Sequence, residues 1–133
     1  MNKLLLVLLL VAVVAVAACA FNQGKDDGFT TVGVDEFERT IADTAGVQLL
    51  DVRGQDEYDE GHIPGAHIIN MRDSNFMQQV DAELVKDKPI AIYCRSGRRS
   101  ATAASKLAKN GYTVINLDGG IIAWQQHGKN VMK

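Results

Sequence analysis

The sequence predicts an α/β domain with a central parallel sheet of five strands and helices on both faces. Short apolar runs alternate with helical patterns from residue 29 onward, an order typical of parallel sheets. The run at residues 89–93 (PIAIY) is apolar throughout, as expected of a central strand. Residues 101–108 instead space their apolar side chains at helical intervals, and Gly111 follows as a stop. These patterns together favour a three-layer architecture.

The elements of the first half are short, and polar segments separate them. The predicted strands are residues 31–34, 47–52 and 67–69, and the predicted helical segments are residues 35–42, 54–61 and 75–85. Asp35 can cap the first helix, whose inner face carries Phe37 and Ile41. The segment 54–61 is a charged turn with one helical turn inside it, and Ser74 or Asn75 opens the last helix.

The second half contains the predicted central strand, one further strand and two helices. The strands are residues 89–93 and 113–117, and the helices are residues 100–110 and 120–127. Ser100 is a natural N-cap, because its hydroxyl can accept a hydrogen bond from a free backbone N–H. Lys106 and Lys109 complement the dipole at the end of the same helix. Its predicted buried face consists of Ala101, Ala104, Leu107 and Ala108.

The N-terminal segment predicts an export signal. Lys3 precedes an apolar run from Leu4 to Ala20 that contains small residues near its end, the order of a signal peptide. Residues 16–19 (VAAC) resemble a bacterial lipobox, in which Cys19 would become the lipidated first residue of the mature chain. We predict a signal peptide at residues 1–18, a lipidated N-terminus and tether at residues 19–28, and a folded domain at residues 29–133.

This segment leaves two alternatives open: an ordinary signal peptide, or an uncleaved anchor with an incidental cysteine. A lipid on Cys19 would attach the protein to a membrane that it does not span. The expected location is the bacterial cell envelope, at the outer membrane or a periplasmic face. The alternative location is the soluble periplasm after cleavage of the signal.

Composition and charge exclude several classes of protein. The chain has 133 residues, of which 14 are basic and 16 acidic, so it lacks the positive charge of a nucleic-acid-binding protein. Its 12 glycines follow no period and its 47% apolar content is enough for a core, which excludes collagen and disorder. Its 2 cysteines cannot form a disulfide framework.

Residues 94–100 (CRSGRRS) are the most informative segment for function. Cys94 ends the predicted central strand, and parallel sheets bind ligands at the carboxyl ends of their strands. Gly97 permits a positive φ, so successive loop amides can point inward and bind an anion. The arginines of the segment concentrate positive charge and favour a nucleophilic thiolate. The alternative is that Cys94 is only a buried apolar residue and that the arginines form a solvated face.

Three motifs occur in order along the domain. The first comprises residues 50–53 (LDVR), Glu57 with Tyr58, and residues 61–66 (GHIPGA). The second is the cysteine loop at residues 94–100, and the third comprises residues 117–120 (LDGG) with Ala123 and Trp124. Together they resemble the motifs of the rhodaneses, the thiosulfate sulfurtransferases. The resemblance covers residues 29–128 and implies a rhodanese-like three-layer fold.

The resemblance implies a sulfurtransferase with Cys94 as the catalytic nucleophile. In this family the thiolate attacks the outer sulfur of thiosulfate, sulfite leaves, and the resulting persulfide passes its sulfur to a thiol or cyanide. Arg95 and Arg99 are expected to hold the sulfonate through charge-assisted hydrogen bonds, while Arg98 points outward. The implied substrate-binding residues are Arg95, Ser96, Gly97, Arg98, Arg99 and Ser100. No metal or organic cofactor is implied.

Other functions remain alternatives at this point. One is a persulfide-carrying or redox module that serves an envelope protein with little thiosulfate turnover. Another alternative is a phosphatase or an arsenate reductase, because such enzymes have a similar layout. They place five residues between the cysteine and a catalytic arginine, whereas the residue at the position of that arginine is Ser100 in this sequence. This difference disfavours phosphatase chemistry. The expected partners are a small sulfur donor, a thiol or cyanide acceptor, and a membrane through the lipid anchor, but not a nucleic acid.

The remaining polar residues of the motifs are predicted to be structural. Asp51 and Arg53 favour an ion pair or loop-fixing hydrogen bonds, because a catalytic group has to be aimed at the substrate. His62 and His67 lack a cysteine or carboxylate at ligand spacing, which favours structural or exposed histidines. Glu57 belongs to a charged turn with no evident mechanism for paired carboxylates.

Overall fold

The computed structural model describes residues 28–133, so the predicted signal peptide, Cys19 and most of the tether lie outside the described residues. The strands are β1 (Thr30–Val32), β2 (Gln48–Asp51), β3 (His67–Ile68), β4 (Ile90–Tyr93) and β5 (Val114–Leu117). The helices are α1 (Val34–Ile41), α2 (Gln55–Glu60), α3 (Phe76–Glu83), α4 (Arg98–Lys109) and α5 (Gly120–Gln126). Within residues 28–133, no helix combines the length and apolar character that a membrane span requires.

The five strands form one parallel sheet in the order β1-β5-β4-β2-β3. β4 is the central strand, and all four of its residues are buried. Its Ile90 is in register with Gln48 of β2 on one side and with Val114 of β5 on the other. Because all strands run in the same direction, their carboxyl ends meet at one edge of the sheet. The predicted α/β class and the central position of β4 are confirmed.

Helices cover both faces of the sheet and bury two apolar clusters. On one face α3 and α4 contribute Phe76 and Leu107, both almost completely buried. On the other face Phe37 of α1 meets Trp124 of α5 edge to face, with ring centroids 6.3 Å apart, and Tyr93 lies in the same cluster. The arrangement is the predicted three-layer fold, and it leaves the carboxyl edge of the sheet to loops.

Two helices begin earlier than predicted. α1 begins at Val34, so Asp35 lies in its first turn and is not its cap. α4 begins at Arg98 behind Gly97, whose φ of 96° turns the chain into the helix, so Ser100 is not an N-cap. Because the helix starts earlier, Ser100 lies on its buried face, and the predicted buried face did not include this residue. The buried face of α4 consists of Ser100, Ala103, Ala104 and Leu107, while Ala101 and Ala108 are only partly buried.

Candidate active site

Cys94 follows directly after β4 at the carboxyl edge of the sheet, and it is fully buried. Its Sγ atom accepts a hydrogen bond from the backbone N–H of Gly97 at 3.1 Å. The hydroxyl of Ser100 lies 3.3 Å from the same sulfur and 3.2 Å from the carbonyl oxygen of Gly97. Donors aimed at the sulfur stabilise negative charge on it. The loop can therefore hold an anionic sulfur.

The first turn of α5 anchors the start of this loop. The N–H groups of Ile121 and Ile122 donate to the carbonyl oxygens of Cys94 and Arg95 at 2.9 and 3.1 Å. Gly120 makes this approach feasible, because a Cβ atom there would overlap the backbone carbonyl of Arg95. The conformation of Gly120, with a φ of 59°, also favours glycine. The third sequence motif, at the start of α5, therefore holds the first residues of the cysteine loop in place through backbone hydrogen bonds.

The three arginines of the loop lie in different environments. Arg95 and Arg98 are exposed, and neither forms an ion pair with a carboxylate of the described residues. Arg99 forms two hydrogen bonds of 2.8 Å with Glu57, from Nη1 to Oε1 and from Nη2 to Oε2. The hydrogen bonds from Arg99 lower the pKa of Glu57 to about 2, and those to Glu57 raise the pKa of Arg99. This ion pair joins α2 to α4.

Asp51 and Arg53 form a second ion pair at the end of β2, next to the cysteine loop. Nη2 of Arg53 lies 2.8 Å from Oδ2 of Asp51, and both side chains are almost fully buried. The same Nη2 donates to the carbonyl oxygen of Gly61 at 2.8 Å. Burial disfavours the Arg53 charge, but the hydrogen bonds and charge of Asp51 outweigh it and raise the pKa of Arg53. The pair has the structural form that the sequence predicts.

Among the described residues, neither His62 nor His67 forms a hydrogen bond with the Cys94 sulfur. His62 is buried and stacks on Tyr58 with ring centroids 3.7 Å apart, and its Nδ1 lies 2.9 Å from the Tyr58 carbonyl oxygen. His67 is exposed on β3. Among residues 28–133, no three His, Cys, Asp or Glu side chains group in a way that could hold a metal ion. Ser96, predicted in the loop, is exposed there.

Two residues near the loop were missed as site residues. Glu57 lies 42 positions before Arg99, a separation that no local spacing signals. Asn116 of β5 is buried with its Nδ2 3.5 Å from the Gly97 carbonyl oxygen, and its Oδ1 has no partner among the described residues. The adjacent motif at residues 117–120 is the signal that could have directed attention to Asn116.

A groove of about 280 Å³ opens beside the loop, between the end of α2 and the start of α5. Arg95, the residue that follows Cys94 in the chain, lines the groove. Glu60 of α2 and Gln125 of α5 line it as well. Arg53 and Glu57 also line it. The groove therefore places one residue of the cysteine loop and one residue of each ion pair on a common surface.

Comparisons with known proteins agree with this geometry. The family model of the rhodanese-like domain matches residues 33–127 of the sequence. A protein of Allochromatium vinosum named sulfurtransferase is 42% identical over 100 residues, which cover 71% of this chain and 86% of that protein. Thiosulfate sulfurtransferase 18 of Arabidopsis thaliana is 34% identical over 108 residues, covering 72% and 79% of the two chains.

A solved structure shows the same fold. The crystal structure of a rhodanese-related protein from Thermoplasma volcanium superposes with a TM-score of 0.69 at 27% identity. The match covers 78% of this chain and 98% of the other. Residues 33–127, which the family model matches, include both the first motif and the cysteine loop. From its sheet, its cysteine loop and these relatives, the chain belongs to the family of rhodanese-like domains and is similar to its sulfurtransferases.

Proposed function

We propose that the protein is a sulfurtransferase that carries sulfur as a persulfide on Cys94, with thiosulfate or a similar compound as donor. The supporting observation is the position of Sγ, 3.1 Å from the Gly97 N–H and 3.3 Å from the Ser100 hydroxyl. Both groups can donate to a sulfur anion without rearrangement of the backbone. The arrangement suits a reaction in which negative charge stays on sulfur throughout.

In the first step the Cys94 thiolate attacks the outer sulfur of thiosulfate. A new S–S bond forms to Sγ, the bond between the two sulfurs of thiosulfate breaks, and sulfite leaves with the bonding electrons. Arg95 is exposed next to Cys94 and holds the sulfonate oxygens by charge-assisted hydrogen bonds. Arg99 contributes to the positive field at the loop, but its two hydrogen bonds to Glu57 give it a positioning role first.

In the second step a thiophilic acceptor attacks the outer sulfur of the persulfide. The S–S bond to Cys94 breaks, and the thiolate of Cys94 is restored. Cys94 is fully buried, so donor and acceptor reach the sulfur only when side chains around the loop move. Gly97 lets the loop hold its amide toward the sulfur in both steps, because its φ of 96° favours glycine.

The test is the intact mass of the full chain before and after incubation with thiosulfate. We expect the mass of one added sulfur atom, which a thiol then removes. Cys94→Ser should take up no sulfur and form no thiocyanate from cyanide, whereas Cys19→Ala, which keeps Cys94, should take up sulfur like the parent protein. Unchanged turnover in Cys94→Ser, or no added sulfur in the parent, would rule out the proposal.

We further propose that Cys19 carries a lipid that holds the domain at a membrane of the bacterial cell envelope. The proposal rests on residues 16–19 (VAAC) at the end of the apolar run. The mature chain would then begin at Cys19, with lipid mass on that residue and the membrane fraction as its location. A mature mass without lipid, or an unchanged location in Cys19→Ser, would contradict it.

A further inference from the structure

The groove between α2 and α5 carries two charged residues that are already neutralised. Arg53, in its wall, is paired with Asp51 at 2.8 Å. Glu57, which also lines the groove, is paired with Arg99 at 2.8 Å. A paired charge attracts a ligand less than a free one, because its partner has already satisfied its strongest hydrogen bonds. Neither residue therefore determines the charge that the groove presents.

The charge of the groove comes from Arg95 and Glu60. Both side chains are exposed, and neither forms an ion pair within the described part of the chain. Arg95 follows Cys94 directly, whereas Glu60 is the last residue of α2. Ile121 and Ile122 of α5 also line the groove. Within the described residues it therefore presents one unpaired cation, on the residue that follows Cys94, and one unpaired anion, on the last residue of α2.

We propose that this groove binds the sulfur acceptor, and that the acceptor is a small thiol carrying both a carboxylate and an ammonium group. The inference rests on the proposed function, since it names the substrate of its second step. Arg95 holds the carboxylate, and Glu60 holds the ammonium group. The volume of about 280 Å³ lies just below the usual range of ligand pockets, which starts at about 300 Å³, so the groove can hold only a small molecule.

The bound thiol accepts sulfur without any external oxidant or reductant. Its thiolate attacks the outer sulfur of the Cys94 persulfide, and a new S–S bond forms between the two. The S–S bond to Cys94 breaks, and its electron pair stays on Sγ as a thiolate. The products are the hydropersulfide of the acceptor and free Cys94, so atoms and charge balance. Arg95 serves the sulfonate in the first step and the carboxylate in the second.

The test compares four thiols on the full chain after it has been loaded with sulfur from thiosulfate. The thiols are cysteine, N-acetylcysteine, cysteamine and 2-mercaptoethanol, and the rate of sulfur loss from loaded protein is followed by intact mass. Each rate is divided by the rate of the same thiol with a small free persulfide. We expect cysteine to exceed each singly charged thiol by about fivefold, the scale of one partly exposed ion pair.

The variants separate the two charges. Arg95→Gln should remove the advantage of the thiols that carry a carboxylate, and Glu60→Gln the advantage of those that carry an ammonium group. Glu83→Gln, an exposed glutamate at the end of α3 outside the groove, serves as the control and should keep the parent's preference. Equal rates for all four thiols, or variants that change all four alike, would overturn the acceptor assignment alone. Because Arg95 also serves the loading step, the variants are compared only after each carries one added sulfur atom. Failure of thiosulfate to load any sulfur on the parent protein would overturn the proposed function and the acceptor assignment with it.

Discussion

Two ion pairs flank the cysteine loop, and they are built in opposite ways. Asp51 and Arg53 are two positions apart on one strand end, with side chains 0% and 5% exposed. Glu57 and Arg99 are 42 positions apart on two helices, with side chains 34% and 22% exposed. Both pairs have contacts of 2.8 Å. Similar geometry therefore occurs in very different surroundings.

The degree of burial determines how much each ion pair contributes to stability. A buried charge without its partner is costly, so the Asp51–Arg53 pair is required once Arg53 lies inside the protein. A half-exposed pair contributes little to stability because water competes for both groups. The Glu57–Arg99 pair instead fixes α2 against the first turn of α4, the helix that follows the cysteine loop. We expect the first pair to affect stability and the second to affect activity.

The largest expected effect is on stability. Asp51→Asn leaves the Arg53 guanidinium buried without a counter-charge, and the free energy of unfolding should fall by about 3 kcal/mol. Urea unfolding followed by circular dichroism measures it. Asp87→Asn, at an exposed aspartate, is the matched control and should change the value by less than about 0.5 kcal/mol. A loss in Asp51→Asn no larger than in the control would show that the buried pair is not needed.

The next effect is on activity. Glu57→Gln frees Arg99 and loosens α4 against α2, so kcat/KM for sulfur transfer should fall by about tenfold, less than the roughly hundredfold that a misplacement of about 1 Å can cost. The free energy of unfolding should change by less than about 1 kcal/mol. Arg99→Gln should behave alike, and the double variant should lose no more than either single one. An additive loss would mean that the two residues act independently.

The smallest expected effect is the pH dependence of stability that the Glu57–Arg99 pair causes. The pKa of Glu57 is lowered from 4.5 to about 2 by the hydrogen bonds from Arg99. The pair therefore contributes fully above about pH 4.5, and its contribution is lost as the pH falls toward 2. The difference in unfolding free energy between the parent and Glu57→Gln should shrink over that range. A difference that is constant with pH would contradict the pairing.

Local patterns were sufficient for most of the fold. A buried strand such as β4 appears in the sequence as a continuous apolar run, and a helix with one buried face such as α4 appears as apolar residues at helical spacing. Both patterns involve only residues that are close together in the sequence, so they can be recognised without the tertiary structure. Gly97 permits a positive φ, and in the structure its φ is 96°. The start of α4 was wrong by two residues, because that glycine ends the loop earlier than a capping serine would.

The sequence by itself therefore determined the parallel α/β sheet, the position of Cys94 at a strand end and the membership of a rhodanese-like family. Only the tertiary structure decided which charges meet. Glu57 finds Arg99, and Asn116 reaches the loop, because the order of strands in the sheet places distant segments side by side. Such pairings depend on how elements pack and not on the spacing of residues along the chain. For the same reason, the groove that holds Arg95 and Glu60 is visible only in the folded chain.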